Sequence, residues 1–116
     1  MKVQLQGQAL RLRIDEAELA QLLDGAAVGN RTHWPDGRVE RQQLALGEAP
    51  GWQRDGEGWR VVLNDGEVRA FAARLPSREG LPMTLPVPDG EALELLFDVD
   101  VRDSVRHRRG GREGRA

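Results

Sequence analysis

The sequence contains no cysteine, which excludes disulfides, thiolate metal sites and a cysteine nucleophile. It also lacks any run approaching the ~20 apolar residues that a membrane-spanning helix needs. The first six residues alternate between apolar and polar side chains and so do not form the apolar segment of a signal peptide. We therefore expect a cytoplasmic protein with no membrane association.

Residues that typically carry catalysis are scarce. The two histidines, His33 and His107, have no second histidine nearby, whereas catalytic and metal sites need partners at defined geometry. No phosphate-binding glycine loop or serine nucleophile motif is present. The acidic series Asp98, Asp100 and Asp103 fits either a hydrated Mg²⁺ site or a solvent-facing strand. We predict no cofactor and no metal, and favour a role other than catalysis.

Length and charge indicate one domain and a tail. The 116 residues are enough for a single core. Residues 102–116 carry six arginines and two acids, whereas residues 1–101 carry 11 basic and 17 acidic residues. We expect a folded domain over 1–101 and a disordered basic tail over 102–116. An acidic body argues against a dedicated nucleic-acid binder, although the Arg-Gly-Gly tail favours weak RNA contact.

A repeat divides the domain into the halves 1–47 and 48–101. Residues 7–19 resemble residues 56–68 at a constant offset of 49. Two Pro-Asp-Gly segments, at 35–37 and 88–90, follow at an offset of 53. Internal repeats of this kind predict the architecture of a fold.

Each repeat begins with a predicted hairpin. If Gly7-Gln8 is a two-residue turn, Leu5 faces Leu10 and the apolar residues of both strands share one face; a bulge at Gly7 is the alternative. Gly56-Glu57 predicts the same turn in the second half, and Asp55-Gly56 is its alternative. Both registers of that second hairpin bury Trp52.

Helices follow the hairpins. Asp15 is placed to cap the first helix, with Glu18 completing a capping box. Asn64 and Glu67 have the same spacing before the second helix. Further hairpins follow, with the Pro-Asp-Gly segments as three-residue loops, and Pro82 predicts an edge strand.

These elements predict an α+β fold built as a duplicated hairpin–helix–hairpin (ββαββ twice) with pseudo-two-fold symmetry. The apolar face of an antiparallel sheet, open or curled into a partial barrel, is covered by the two helices.

The first thirteen residues resemble a known family. They resemble small bacterial proteins classed only as a domain of unknown function. The matching residues are Met1-Lys2, Gly7, the strand Leu10–Arg13 and, after it, Glu18-Leu19. This resemblance implies a small conserved-type domain and supplies no catalytic residues. A looser likeness in topology links the fold to the triphosphate-tunnel barrels. Their Glu-x-Glu-x-Lys strand corresponds here to Val3–Gln6, whose lack of acids counts against metal–triphosphate chemistry.

Two surfaces are candidate sites. Arg11, Arg13 and Arg60 lie opposite the apolar faces of equivalent strands. Two-fold symmetry then predicts either one basic patch that binds an anion or a solvated polar face with salt bridges.

The hairpin at 29–43 is polar apart from Trp34 and Val39, so we expect an arm with Trp34 near its tip. Its candidate interaction residues are Trp34, Arg38 and His33, because exposed tryptophan is typical of interfaces. Stacking of Trp34 on Arg38 is the local alternative.

The sequence thus predicts a small protein-interaction or structural module with a protein partner or a second copy of itself. The alternative is an anion-binding or phosphate-acting protein that uses an arginine-bearing sheet face.

Overall fold

The computed structural model describes residues 1–101; the predicted basic tail lies outside the described residues. Eight strands and two helices follow one another in the predicted order, with a hairpin before and after each helix. Their bounds are β1 Lys2–Gln6, β2 Ala9–Asp15, α1 Glu16–Leu23, β3 Val28–His33, β4 Val39–Gly47, β5 Gly51–Asp55, β6 Gly58–Asn64, α2 Asp65–Ala73, β7 Leu81–Leu85 and β8 Leu93–Asp100. The chain is therefore an α+β protein.

The strands form two sheets and not the single antiparallel sheet that was predicted. The orders are β1-β2-β8-β7 and β3-β4-β6-β5. Within each hairpin the strands are antiparallel, but β2 pairs with β8 in parallel, as does β4 with β6. The prediction was wrong because the alternation of apolar residues is the same for parallel and antiparallel neighbours. The neighbour itself is chosen by contacts far apart in the chain.

The predicted hairpin registers are confirmed. Leu5 pairs with Leu10 across the Gly7-Gln8 turn, where Gly7 has φ 56°. Arg54 pairs with Trp59, which places the second turn at Gly56-Glu57 and excludes the Asp55-Gly56 alternative. The two Pro-Asp-Gly hairpins also have the expected registers, and Pro82 lies on an edge strand.

Local capping starts both helices. The Asp15 carboxylate accepts from the Glu18 N–H at 2.7 Å, and the Glu18 carboxylate accepts from the Asp15 N–H at 3.1 Å. Asn64 accepts from the Glu67 N–H at 2.8 Å; the reciprocal Glu67 bond is not formed within the described residues. Neither helix in residues 1–101 has the length and apolarity needed to cross a membrane.

One core joins both sheets and both helices. Helix α1 contacts β2 and β8 in the first sheet and β3 and β4 in the second. In α2, Phe71 packs edge-on against Phe97 of β8, with ring centroids 5.9 Å apart. Burial of such a side chain contributes roughly 1.5–3 kcal/mol, more than the roughly 1 kcal/mol of a helix cap. The fully buried members are Leu12, Ile14, Leu22, Leu44, Val61, Leu63, Val68, Phe71, Leu95 and Phe97.

Two apolar residues that were predicted to be buried are exposed. Leu5 of β1 is 69% exposed and Trp52 of β5 is 40% exposed. Both lie on edge strands, and both face the same side of their sheet as buried neighbours. The alternation of apolar and polar residues predicts on which face of the sheet a side chain lies. Whether another element packs over that face depends on the tertiary structure.

Close approach of backbones at the parallel pair requires glycine at position 58. A Cβ on Gly58 would overlap the backbone carbonyl of Arg41, its partner in β4. We predict that Gly58→Ala lowers the free energy of unfolding by about 1–3 kcal/mol, as overpacking typically does. Urea unfolding followed by tryptophan fluorescence measures this loss.

Gly51→Ala is the matched control in the same hairpin. A Cβ there has no heavy atom within 4 Å, so the stability should change by less than about 0.5 kcal/mol. Equal losses in the two variants would contradict the tight contact between β4 and β6.

Candidate functional site

The predicted anion-binding residues Arg11 and Arg13 are held by one carboxylate. Both project from the outer face of β2, and Asp98 of β8 is the register partner of Arg13. The Nη2 atoms of Arg11 and Arg13 lie 3.0 Å and 3.3 Å from Asp98 Oδ2. Asp98 is only 8% exposed, and its Oδ1 accepts from the Val99 N–H. The two arginines therefore compensate an almost buried charge.

Arg60 lies on the other sheet. It projects from the outer face of β6, where its Nη2 is 3.4 Å from the carboxamide of Gln43. Its Nε is buried and meets no acceptor within residues 1–101. Among the described residues no contact joins Arg60 to Arg11 or Arg13, so the structure does not bring the three predicted residues into one patch.

The tip of the β3–β4 hairpin carries the three predicted interaction residues. His33 ends β3 and is exposed, Trp34 is 49% exposed, and the Arg38 side chain is 86% exposed. The Trp34 indole N–H donates to Glu40 at 3.2 Å. No stacking of Trp34 on Arg38 is found in the described part of the chain, and Arg38 instead lies 3.8 Å from Asp36.

Two arginines that were not among the candidates lie directly opposite each other. Arg31 of β3 and Arg41 of β4 are register partners, and both project from the outer face of the second sheet. They line an open depression of about 470 Å³, together with Ala27, Val28, Gly29, Asn30, Gln43 and Glu57. The signal was available in the sequence, because the register that pairs Val28 with Leu44 also pairs Arg31 with Arg41.

A second and more apolar groove lies on the first sheet. Its volume is about 810 Å³, and it is lined by Gln4, Leu5, Gln6, Ala9, Leu10, Arg11, Pro82, Glu94, Leu95 and Leu96. Three of these residues lie 53 positions after residues that line the depression at Arg31 and Arg41. The pairs are Gly29 and Pro82, Arg41 and Glu94, and Gln43 and Leu96. Three lining positions of the two depressions are thus related by the offset of the sequence repeat, and their side chains differ in chemistry.

The acidic series at the end of β8 is divided. Asp98 is engaged by the two arginines, and Asp103 lies outside the described residues. Within residues 1–101, no group of three or more histidine, aspartate or glutamate side chains is arranged to hold a metal ion.

Comparison with models of known protein families and with curated proteins finds no match for this chain. The resemblance of residues 1–13 to the bacterial family and the likeness to the tunnel barrels therefore stay predictions.

The role of Asp98 can be tested by removing its charge. Asp98→Asn retains the shape but leaves two guanidinium groups without their counter-ion. We predict a loss of about 1–2 kcal/mol in the free energy of unfolding, below the full value for charged hydrogen bonds because the arginines are partly exposed. Asp89→Asn in the exposed β7–β8 loop is the control, and an equal effect there would contradict the assignment.

Proposed function

We propose that this chain is a small protein-interaction module that pairs with a second copy of itself along β1. The exposure of Leu5 supports this proposal most directly. At 69% it is the most exposed large apolar side chain among those described, and it lies beside the apolar groove of the first sheet. An exposed apolar residue that borders a groove is typical of an interaction surface.

Within residues 1–101, β1 is the last strand on its side of the sheet and so offers an edge to a further strand. An edge strand presents unpaired N–H and C=O groups, and proteins protect such edges with proline, charge or bulges. The opposite edge, β7, contains Pro82, whereas β1 contains no proline and only one charged residue, Lys2. Strand addition at β1 would extend the four-stranded sheet through main-chain hydrogen bonds.

The sequence of β1 suits antiparallel pairing with its own copy. If the pair is centred on Gln4, Val3 faces Leu5 of the second copy, and Lys2 faces Gln6 of the second copy. Both Leu5 side chains then gain an apolar neighbour, and no like charges oppose each other. Such a two-fold contact is the commonest arrangement of homodimers.

We infer a pseudo-two-fold duplication as the origin of this surface. In support, Leu12 pairs with Phe97 and Val61 pairs with Leu44. Position 61 is 49 residues after position 12, and position 97 is 53 residues after position 44. Each pair is therefore the counterpart of the other in the sequence repeat.

The strand related to β1 by this repeat is β5, where Arg54 takes the place of Leu5. Its guanidinium lies 5.2 Å from the centroid of the Trp52 ring and so shields the apolar residue of that edge. Within residues 1–101, Leu5 of β1 has no such cover, which is why we assign the contact to β1.

The proposal is tested by placing a charge at the centre of the contact. We predict that the wild-type chain dimerises and that Leu5→Lys weakens the dimer at least about tenfold, because two apolar contacts are lost. Sedimentation equilibrium over a range of protein concentrations measures the dissociation constant.

Val87→Lys is the control, since Val87 is also exposed but lies in the β7–β8 loop; its dimer should be unaffected. Gln6→Glu should tighten the dimer about two- to tenfold, because each new carboxylate faces Lys2 of the second copy. A monomeric wild type, or equal effects of Leu5→Lys and Val87→Lys, would contradict pairing along β1.

A further inference from the structure

We propose that the outer face of the second sheet binds a phosphate group between Arg31 and Arg41, as part of a small phosphomonoester ligand. This site lies on the other sheet from β1 and does not depend on the pairing of two copies. It rests on three observations: an opposed pair of arginines, the contrast with the related pair in the first sheet, and the shape of the depression.

The arginine pair is electrostatically unfavourable without a ligand. Arg31 and Arg41 are directly opposite on neighbouring antiparallel strands, where like charges are destabilising. Within residues 1–101 no carboxylate lies within 4 Å of either guanidinium. A bound anion would convert this repulsion into two charge-assisted interactions.

At the related positions in the first sheet, the two side chains form a hydrogen bond with each other. An offset of 53 relates Arg31 to Thr84 and Arg41 to Glu94, which are also register partners. The Thr84 hydroxyl donates to the Glu94 carboxylate, with oxygen–oxygen distances of 3.0 and 3.2 Å. The same scaffold therefore supports a pair that needs no ligand, whereas the second sheet carries two cations.

The neighbouring side chains orient the pair and leave this face net positive, with Arg31, Arg41 and Arg60 against Asp55 and Glu57. When the Gln43 carboxamide is oriented to match its hydrogen-bonding neighbours, its nitrogen lies 3.0 Å from Asp55 Oδ2 and its oxygen 3.2 Å from Arg41 Nη2. Gln43 thus bridges Asp55 and Arg41 and orients the Arg41 guanidinium, while the Asp55 carboxylate keeps its negative charge. Glu57 is the acid on the rim of the depression, and Arg60 adds a third cation behind Gln43.

The depression is open to solvent above closely packed strands. A Cβ on Gly29, one of its lining residues, would overlap the backbone carbonyl of Gln42, so the backbones of β3 and β4 form its bottom there. An open volume of about 470 Å³ admits a phosphate and a small attached group. Two guanidinium forks match the several acceptor oxygens and the double charge of a phosphate better than they match a single carboxylate.

The test follows inorganic phosphate binding by ¹⁵N NMR at constant ionic strength, with sodium chloride and acetate as comparison salts. We expect millimolar affinity, with shifts centred on the amides of Gly29, Arg31 and Arg41. Arg31→Gln and Arg41→Gln should each weaken binding at least about tenfold. Arg54→Gln on the other face of the same sheet, and Arg11→Gln on the first sheet, should leave it unchanged.

A second readout separates a ligand site from a structural one. Because the two arginines repel each other, Arg31→Gln should raise the melting temperature of the ligand-free protein by about 1–4 °C while it removes the phosphate response. The proposal is overturned if acetate shifts the same amides as strongly as phosphate. It is equally overturned if phosphate binding survives in the Arg31→Gln, Arg41→Gln double variant.

Discussion

The fold depends on the two parallel contacts, β2 with β8 and β4 with β6. Each contact places a strand of one half beside a strand of the other half, and the inner faces of all four strands enter the same core. Helix α1 covers strands of both sheets, and Phe71 of α2 reaches Phe97 of β8. Neither half contains a complete sheet, so the stability of each hairpin depends on a partner that is distant in the sequence.

This constraint leaves the outer faces and the edges for function. Since the inner positions are committed to the core, side chains on the outer faces are free to differ between the two sheets. The first sheet uses Arg11 and Arg13 to neutralise Asp98, whereas the second leaves Arg31 and Arg41 opposite each other. One scaffold thus carries a structural ion pair on one face and a candidate ligand site on the other.

The parts of this structure that could be predicted from sequence are those decided within about ten residues. The Gly7-Gln8 turn and the Asp15 cap depend on neighbouring residues, and the hairpin registers follow from them. The parallel pairing could not be predicted, because β2 and β8 meet only through tertiary contacts. The exposure of Leu5 could not be predicted either, because the cover over that face depends on tertiary contacts. The opposed arginines at 31 and 41 follow from the correctly predicted register of β3 and β4, but they do not lie on the repeat-equivalent strands that carry Arg11, Arg13 and Arg60.

Separating the two halves tests the interlocked pairing most directly. The chain can be produced as two fragments, residues 1–47 and 48–101, divided in the connection between β4 and β5. We predict that each fragment alone lacks a cooperative unfolding transition, and that mixing them restores an equimolar complex with the far-ultraviolet circular dichroism of the intact domain. A cooperative transition in either isolated fragment would contradict this prediction, because that half would then fold without the strands of the other.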